Sequence, residues 1–162
     1  MPDLHFRHFG TLPNAFALPG NIIVVTDALV TMAEDEEEIA AVLAHELGHL
    51  RAHHPVQRLL LGSTALLVLT AATGDLSTLT SFAATLPFLL LQNGYSREFE
   101  SAADTFAAER LLEAGIDPAR LAAILMRMDK THDDFVSRRF TYLSTHPATE
   151  DRVQKLRGPA DE

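Results

Sequence analysis

Residues 38 to 54, EIAAVLAHELGHLRAHH, constrain this chain more than any other stretch. Ile39, Ala40, Val42, Leu43, Leu47 and Leu50 recur at the spacing of one helical face, which predicts an amphipathic helix. His45 and His49 are four apart, so both imidazoles lie on one side of that helix. With Glu46 they form H-E-x-x-H, two neutral nitrogen ligands for one divalent ion beside a carboxylate free to take a proton from water. Gly48 inside the motif costs about 1 kcal/mol of helix propensity relative to Ala, and its small size lets another backbone or a ligand come close.

At 162 residues the chain supports one core of ordinary size, and a second independent domain is not expected. A net charge of −9, from 13 basic and 22 acidic residues, argues against a general nucleic-acid binder. The acidic run Glu34 to Glu38 falls where the helix should begin. Asp35 and Glu38 are spaced for a capping box there, and negative charge suits a helix N-terminus. The absence of cysteine excludes a thiolate zinc finger and any hydrolase with a cysteine ligand. The opening MPDLHFRHFG has no apolar core of the secretory kind, so no signal peptide is expected in this sequence, although a precursor could have carried one.

Residues 14 to 18, NAFAL, and 21 to 26, NIIVVT, read as two antiparallel strands joined by a tight turn at Pro19 and Gly20. Residues 28 to 32 suit a short helical turn, and the motif helix should run from about Asp35 to about His53, with Pro55 as its stop. His53 and His54 then read as helix-end histidines facing the dipole or solvent. Two apolar runs follow, within residues 59 to 92, broken by Gly74 and Asp75. Each is shorter than the roughly 20 residues needed to span a bilayer, so a buried helical hairpin is expected. A hydrophobic flap touching a membrane, a partner subunit or an unfolded substrate is the alternative. Further helices are predicted from Tyr95 to Ala114, from Asp117 to Lys130 and from Thr149 to Leu156, with an extended piece at 139 to 143. The fold class is therefore α+β, mainly helical, with one small antiparallel sheet and a single domain over residues 1–162.

Two histidines do not complete a metal site. The metzincin pattern would place a third histidine at position 55, which is Pro55, and a thermolysin-like glutamate would fall in the apolar run around Leu69. The helix beginning at Tyr95 offers Glu100 and Asp104, four apart on one face. One carboxylate there could bind the ion while the other accepts the free ring N–H of a ligand histidine. Glu98 and Glu109 compete as isolated carboxylates.

Four stretches in order, LPNAFALPGNIIVVTDAL, AVLAHELGHL, SREFESAAD and STHPATEDR, resemble the signature blocks of the gluzincin metallopeptidases that include the CAAX prenyl protease, HtpX, Oma and BepA. With their connections they cover most of residues 12 to 157. The chain lacks the long transmembrane segments and repeat domain of the larger members and is similar in scale to the compact minigluzincins. The resemblance implies a zincin-like domain with His45, His49 and Glu100 as ligands of one Zn2+ and Glu46 as general base and acid. It makes Asp104 the partner of a ligand histidine, most simply His45, and has Arg152 fix its loop by pairing with Asp104 or Glu100. His146 matches a histidine near the metal that stabilises the oxyanion in some members and occupies the metal at rest in others. Asn14 and Ala15 match the edge strand that holds substrate backbone.

The expected function is zinc-dependent endopeptidase action on protein or peptide substrates, with a latent form in which His146 plugs the metal. The alternative is a non-catalytic, chaperone-like binder of unfolded or membrane-associated proteins through residues 59–91. The resemblance favours a periplasmic or membrane-associated location, and a complete chain would favour the cytoplasm.

Overall fold

The computed structural model describes residues 1–73, 95–130, 146 and 149–158. Among them are three strands, β1 (Asp3–Arg7), β2 (Ala15–Leu18) and β3 (Ile22–Thr26). Six helices follow: α1 (Asp27–Met32), α2 (Glu36–Arg51), α3 (His54–Thr73), α4 (Arg97–Glu113), α5 (Ala119–Lys130) and α6 (Glu150–Arg157). The mainly helical α+β class expected from the sequence is the class observed.

β2 and β3 pair antiparallel, with Ala15 opposite Val25 and Ala17 opposite Ile23. Those four side chains are buried and make the inner face of the sheet. Gly20 and Asn21, both with left-handed φ, turn the chain between the two strands. β1 adds to the other side of β3 in parallel, giving the order β1-β3-β2. No pattern announced β1, because its apolar Leu4 and Phe6 are exposed and no buried face marks it as a strand. Thr26 ties the sheet to α1. Its hydroxyl accepts from the backbone of Asn14 (2.8 Å) and of Leu29 (3.3 Å) and donates to the Leu12 carbonyl (2.9 Å).

α2 begins where expected, with Asp35 Oδ1 accepting from the Glu38 backbone N–H at 2.9 Å. Glu38 does more than complete a cap. It is buried, accepts from the Glu34 backbone N–H (2.9 Å), and is gripped by both terminal nitrogens of Arg127 on α5 (2.6 and 2.9 Å). Arg120 on α5 pairs with Asp35 and Glu37, each at 2.8 Å. The acidic run is thus fastened to α5 as well as solvated. Along α5, Leu121, Ile124, Leu125 and Met128 form one helical stripe that packs on Leu29, Ala41 and Val42. Full burial of each large apolar side chain in that stripe contributes about 1.5–3 kcal/mol.

α2 ends at Arg51, not His53. His53 takes a left-handed φ of 57°, and α3 starts at His54 with Pro55 in its first turn, where a missing N–H does no harm. Pro55 therefore opens a helix where the sequence suggested a plain stop. α3 carries exposed Leu60, Leu61 and Val68, so that face of the first apolar run does not pack into the core. Among the described residues no helix is long and apolar enough to cross a membrane. The second apolar run and the extended piece at 139 to 143 lie outside the described residues.

Gly48 sets the crossing of α2 and α4. A Cβ at this position would lie 3.0 Å from both Cα and O of Ala103, so only glycine allows this approach. The contact brings the His45 and His49 face of α2 against the Glu100 and Asp104 face of α4.

Candidate active site

Four side chains converge where α2 meets α4. His45 and His49 come from α2, Glu100 from the first turn of α4, and His146 from far along the chain. One donor atom from each lies within 4.8 Å of all the others. Nε2 of His49 is 3.0 Å from Nε2 of His45, which in turn is 3.3 Å from Nδ1 of His146. Oε1 of Glu100 lies 3.0 Å from His146 Nδ1 and 3.3 Å from His49 Nε2. Donors at about 2.0–2.1 Å from a tetrahedral zinc ion stand about 3.3–3.4 Å from one another, close to these spacings. The donor chemistry, three imidazoles and one carboxylate, also suits zinc. These residues fit a metal ion.

The buried donors shift one another's protonation. Burial opposes charge on His45, yet hydrogen bonds to Asp104 and Glu100 hold its pKa up at about 9. Burial pushes His49 well below the ordinary histidine value, against the pull of Glu100. Burial would also raise the Glu100 carboxyl, but the charge and hydrogen bond of His146 and the bonds from His45 and His49 drive it far below the usual range. Glu100 is thus held ionised, as a metal ligand must be, whereas a proton on Nε2 of His45 has to leave before that nitrogen can bind an ion.

Glu46, next to His45, is fully buried, and among the described residues neither of its carboxylate oxygens has a hydrogen-bond partner. Its Oε1 is 3.4 Å from Nε2 of His146. A buried carboxylate left in that condition is poised for a donor such as water. His146 therefore faces the donor cluster with one ring nitrogen and Glu46 with the other.

Behind the donors, Asp104 Oδ1 lies 2.9 Å from His45 Nδ1. Arg152, from the first turn of α6, donates through Nε to Asp104 Oδ2 (2.6 Å) and through Nη2 to Asp104 Oδ1 (2.8 Å). Its Nη1 reaches Glu100 Oε2 at 2.6 Å. Burial would raise the Asp104 carboxyl, but Arg152 and His45 hold it below its ordinary value. α6 is started by Thr149, whose side chain accepts from the Arg152 backbone N–H at 3.4 Å.

The structure thus brings together His45, Glu46, His49, Glu100, Asp104, His146 and Arg152. Asn14 and Ala15 stand at the start of β2, which among the described residues is an edge strand and packs along α2, with both side chains buried. Two participants escaped the sequence. His54 was expected at a helix end facing solvent, but it is buried, and its Nδ1 lies 2.9 Å from Nδ1 of His49. Tyr95 stacks on the His49 ring with centroids 3.9 Å apart. Helical periodicity could not find His54, because the left-handed His53 breaks the helix and swings the next residue back toward the site. Only the place of Tyr95, just before the Ser96 cap of α4, hinted at proximity to Glu100.

The sequence profile of peptidase family M48 matches residues 8–160. The mitochondrial metalloendopeptidase OMA1 of Schizosaccharomyces pombe is 32% identical, over 89% of this chain and 42% of its own length. The metalloprotease LoiP of Escherichia coli is 31% identical, over 89% of this chain and 57% of its own. The β-barrel assembly-enhancing protease of the same organism is 26% identical, over 92% of this chain and 32% of its own. The chain spans less than two thirds of the length of each of these relatives.

Proposed function

From the premise that this chain belongs to peptidase family M48, we propose that it is the catalytic part of a zinc-dependent endopeptidase acting on protein substrates. The observation that carries this reading is the meeting of four donors around one point, with the unbonded carboxylate of Glu46 beside them. His45, His49 and Glu100 would hold the Zn2+, and residues 1–162 act as one catalytic domain in which residues 59–92 are an apolar insertion. The names of OMA1, LoiP and the β-barrel assembly-enhancing protease support a protein substrate.

When bound, zinc supplies Lewis acidity, polarising a carbonyl and bringing the pKa of water down toward about 7. Glu46 accepts the proton from the attacking water and passes it to the departing amine. Its burial keeps competing solvent away and leaves its oxygens without another partner. Asp104 holds His45 by Nδ1 and so turns Nε2 toward the cluster. Arg152 locks Asp104 and the outer oxygen of Glu100 together, leaving Oε1 as the donor. The substrate backbone adds to β2, an edge strand among the described residues, at Asn14 and Ala15.

The site described is a resting one. His146 stands against the other donors through Nδ1 and against Glu46 through Nε2, and all five groups are at most 2% exposed. Substrate entry requires His146 to leave. Exposed Leu60, Leu61 and Val68 support contact of residues 59–91 with a membrane or partner subunit.

Glu46→Gln is the test: cleavage of an unfolded substrate such as casein should fall by at least a hundredfold while one zinc per chain remains bound. Retained cleavage in this variant, or a parent protein without metal, overturns the proposal.

A further inference from the structure

The two histidines of α2 are supported differently. Behind His45 stands a carboxylate, Asp104, with Oδ1 at 2.9 Å from the ring Nδ1. Behind His49 the structure places another imidazole. Nδ1 of His54 is 2.9 Å from Nδ1 of His49, and His54 is only 4% exposed. Two imidazole nitrogens at that distance share one proton, since two lone pairs or two N–H groups facing each other would repel.

The cluster decides which ring owns that proton. Nε2 of His49 is the atom that faces His45 and Glu100, so it must present a lone pair to bind an ion. The ring proton of His49 then sits on Nδ1, and Nδ1 of His54 must accept it. From this geometry we infer that His54 is a positioning residue that fixes the tautomer of His49, resting on the metal-site reading above. His54 is itself held for the task. It stacks on Phe99 of α4, with ring centroids 4.1 Å apart and planes within 8°.

The first turn of α3 braces the same ligand by a second route. Arg58, four residues past His54 and on the same helix face, places its guanidinium carbon 4.4 Å from the centroid of the Tyr95 ring. Tyr95 in turn lies flat on His49, at 3.9 Å and 19°. His49 is thus gripped at its edge by His54 and on its face by Tyr95, both contacts traceable to the start of α3. A neutral imidazole behind His49 gives that ligand less negative charge than Asp104 gives His45. The outcome is a site whose two helix ligands share geometry but differ in basicity.

Two substitutions separate positioning from packing. His54→Phe keeps an aromatic ring to stack on Phe99 and removes the acceptor. His54→Asn restores an acceptor, because its Oδ1 lies the same number of bonds from Cα as the lost Nδ1. In the metal-free protein, two-bond proton–nitrogen correlation spectra should show His49 carrying its proton on Nδ1 in the parent and in His54→Asn, and a mixture of tautomers in His54→Phe. Zinc affinity, by competition with a chromophoric chelator, should fall about 10–100-fold in His54→Phe and recover to within about threefold in His54→Asn. Urea midpoints and circular dichroism confirm that each variant is folded. An unchanged His49 tautomer in His54→Phe, or an asparagine variant as weak as the phenylalanine one, overturns the inference. Should the parent bind no zinc at all, the peptidase reading fails, while the tautomer comparison still decides the role of His54.

Discussion

At the scale of single residues, His146 and Arg152 show what neighbours make of a side chain. His146 lies between the donor cluster and Glu46, so one ring both completes the four-donor set and stands 3.4 Å from the carboxylate of Glu46. His146→Ala should keep zinc bound by the other three donors and raise casein cleavage severalfold, measured as initial rates. A fall in rate at unchanged zinc content would assign His146 to the oxyanion and remove the resting-plug role. Arg152 is buried against two carboxylates, Asp104 and Glu100. Removing one partner of a buried ionic network leaves charge uncompensated, so Arg152→Met should cost about 3 kcal/mol of folding free energy in urea titrations. A loss under about 1 kcal/mol would mean that water replaces the guanidinium and that the pairing is incidental. The sequence made His45, Glu46 and His49 legible because a helix converts spacing into direction. The spacing of Glu100 and Asp104 on one helix face made that pair candidates, but residues 146 and 152 were legible only through a resemblance to whole blocks, since no local rule links positions about a hundred residues apart.

At the scale of elements, the decisive contact is the crossing of α2 and α4 at Gly48. Alanine there gains about 1 kcal/mol of helix propensity. Its methyl group, however, meets Ala103 Cα and O at 3.0 Å, and backbone atoms cannot turn aside as a flexible side chain would. Overpacking of this kind costs about 1–3 kcal/mol and is relieved by moving the helices apart. Gly48→Ala should therefore be neutral to destabilising by up to about 2 kcal/mol, and it should weaken zinc binding more than stability, because separation parts His45 and His49 from Glu100. Zinc competition and urea melts on the same variant check the two effects, and a stabilised variant with unaltered affinity would show that the crossing is loose. α5 supplies the second fastening through Arg127 and the buried Glu38. Helix starts were readable at Asp35 and Thr149, whereas the helix expected from Tyr95 is capped by Ser96; each of the three side chains accepts a backbone N–H three residues on. β1 was not readable, since burial writes the pattern of a strand and β1 buries almost nothing. The break at His53 was hidden for a related reason: a left-handed residue other than glycine leaves no signature in composition.

For the molecule as a whole, an ion held by this cluster would be a cross-link as well as a reagent. Its proposed donors span α2, α4 and residue 146, and the contact between His45 and His146 joins positions 101 apart in the chain. An ion that binds the folded chain and not the unfolded one stabilises it by about 2.7 kcal/mol when present at a hundred times its dissociation constant. For a chain of this size that corresponds to a rise of about 5–10 °C in Tm. Chelation should remove the whole increment, and added zinc should restore it. The same cycle discriminates roles among neighbours on α2. Glu46→Gln keeps the donors and should retain the increment although it does not cleave, whereas His49→Ala loses a donor and should lose most of it. Calorimetry of the three proteins with and without chelator measures both statements. Equal melting temperatures for the parent in zinc and in chelator would show that these side chains, close as they stand, hold no ion.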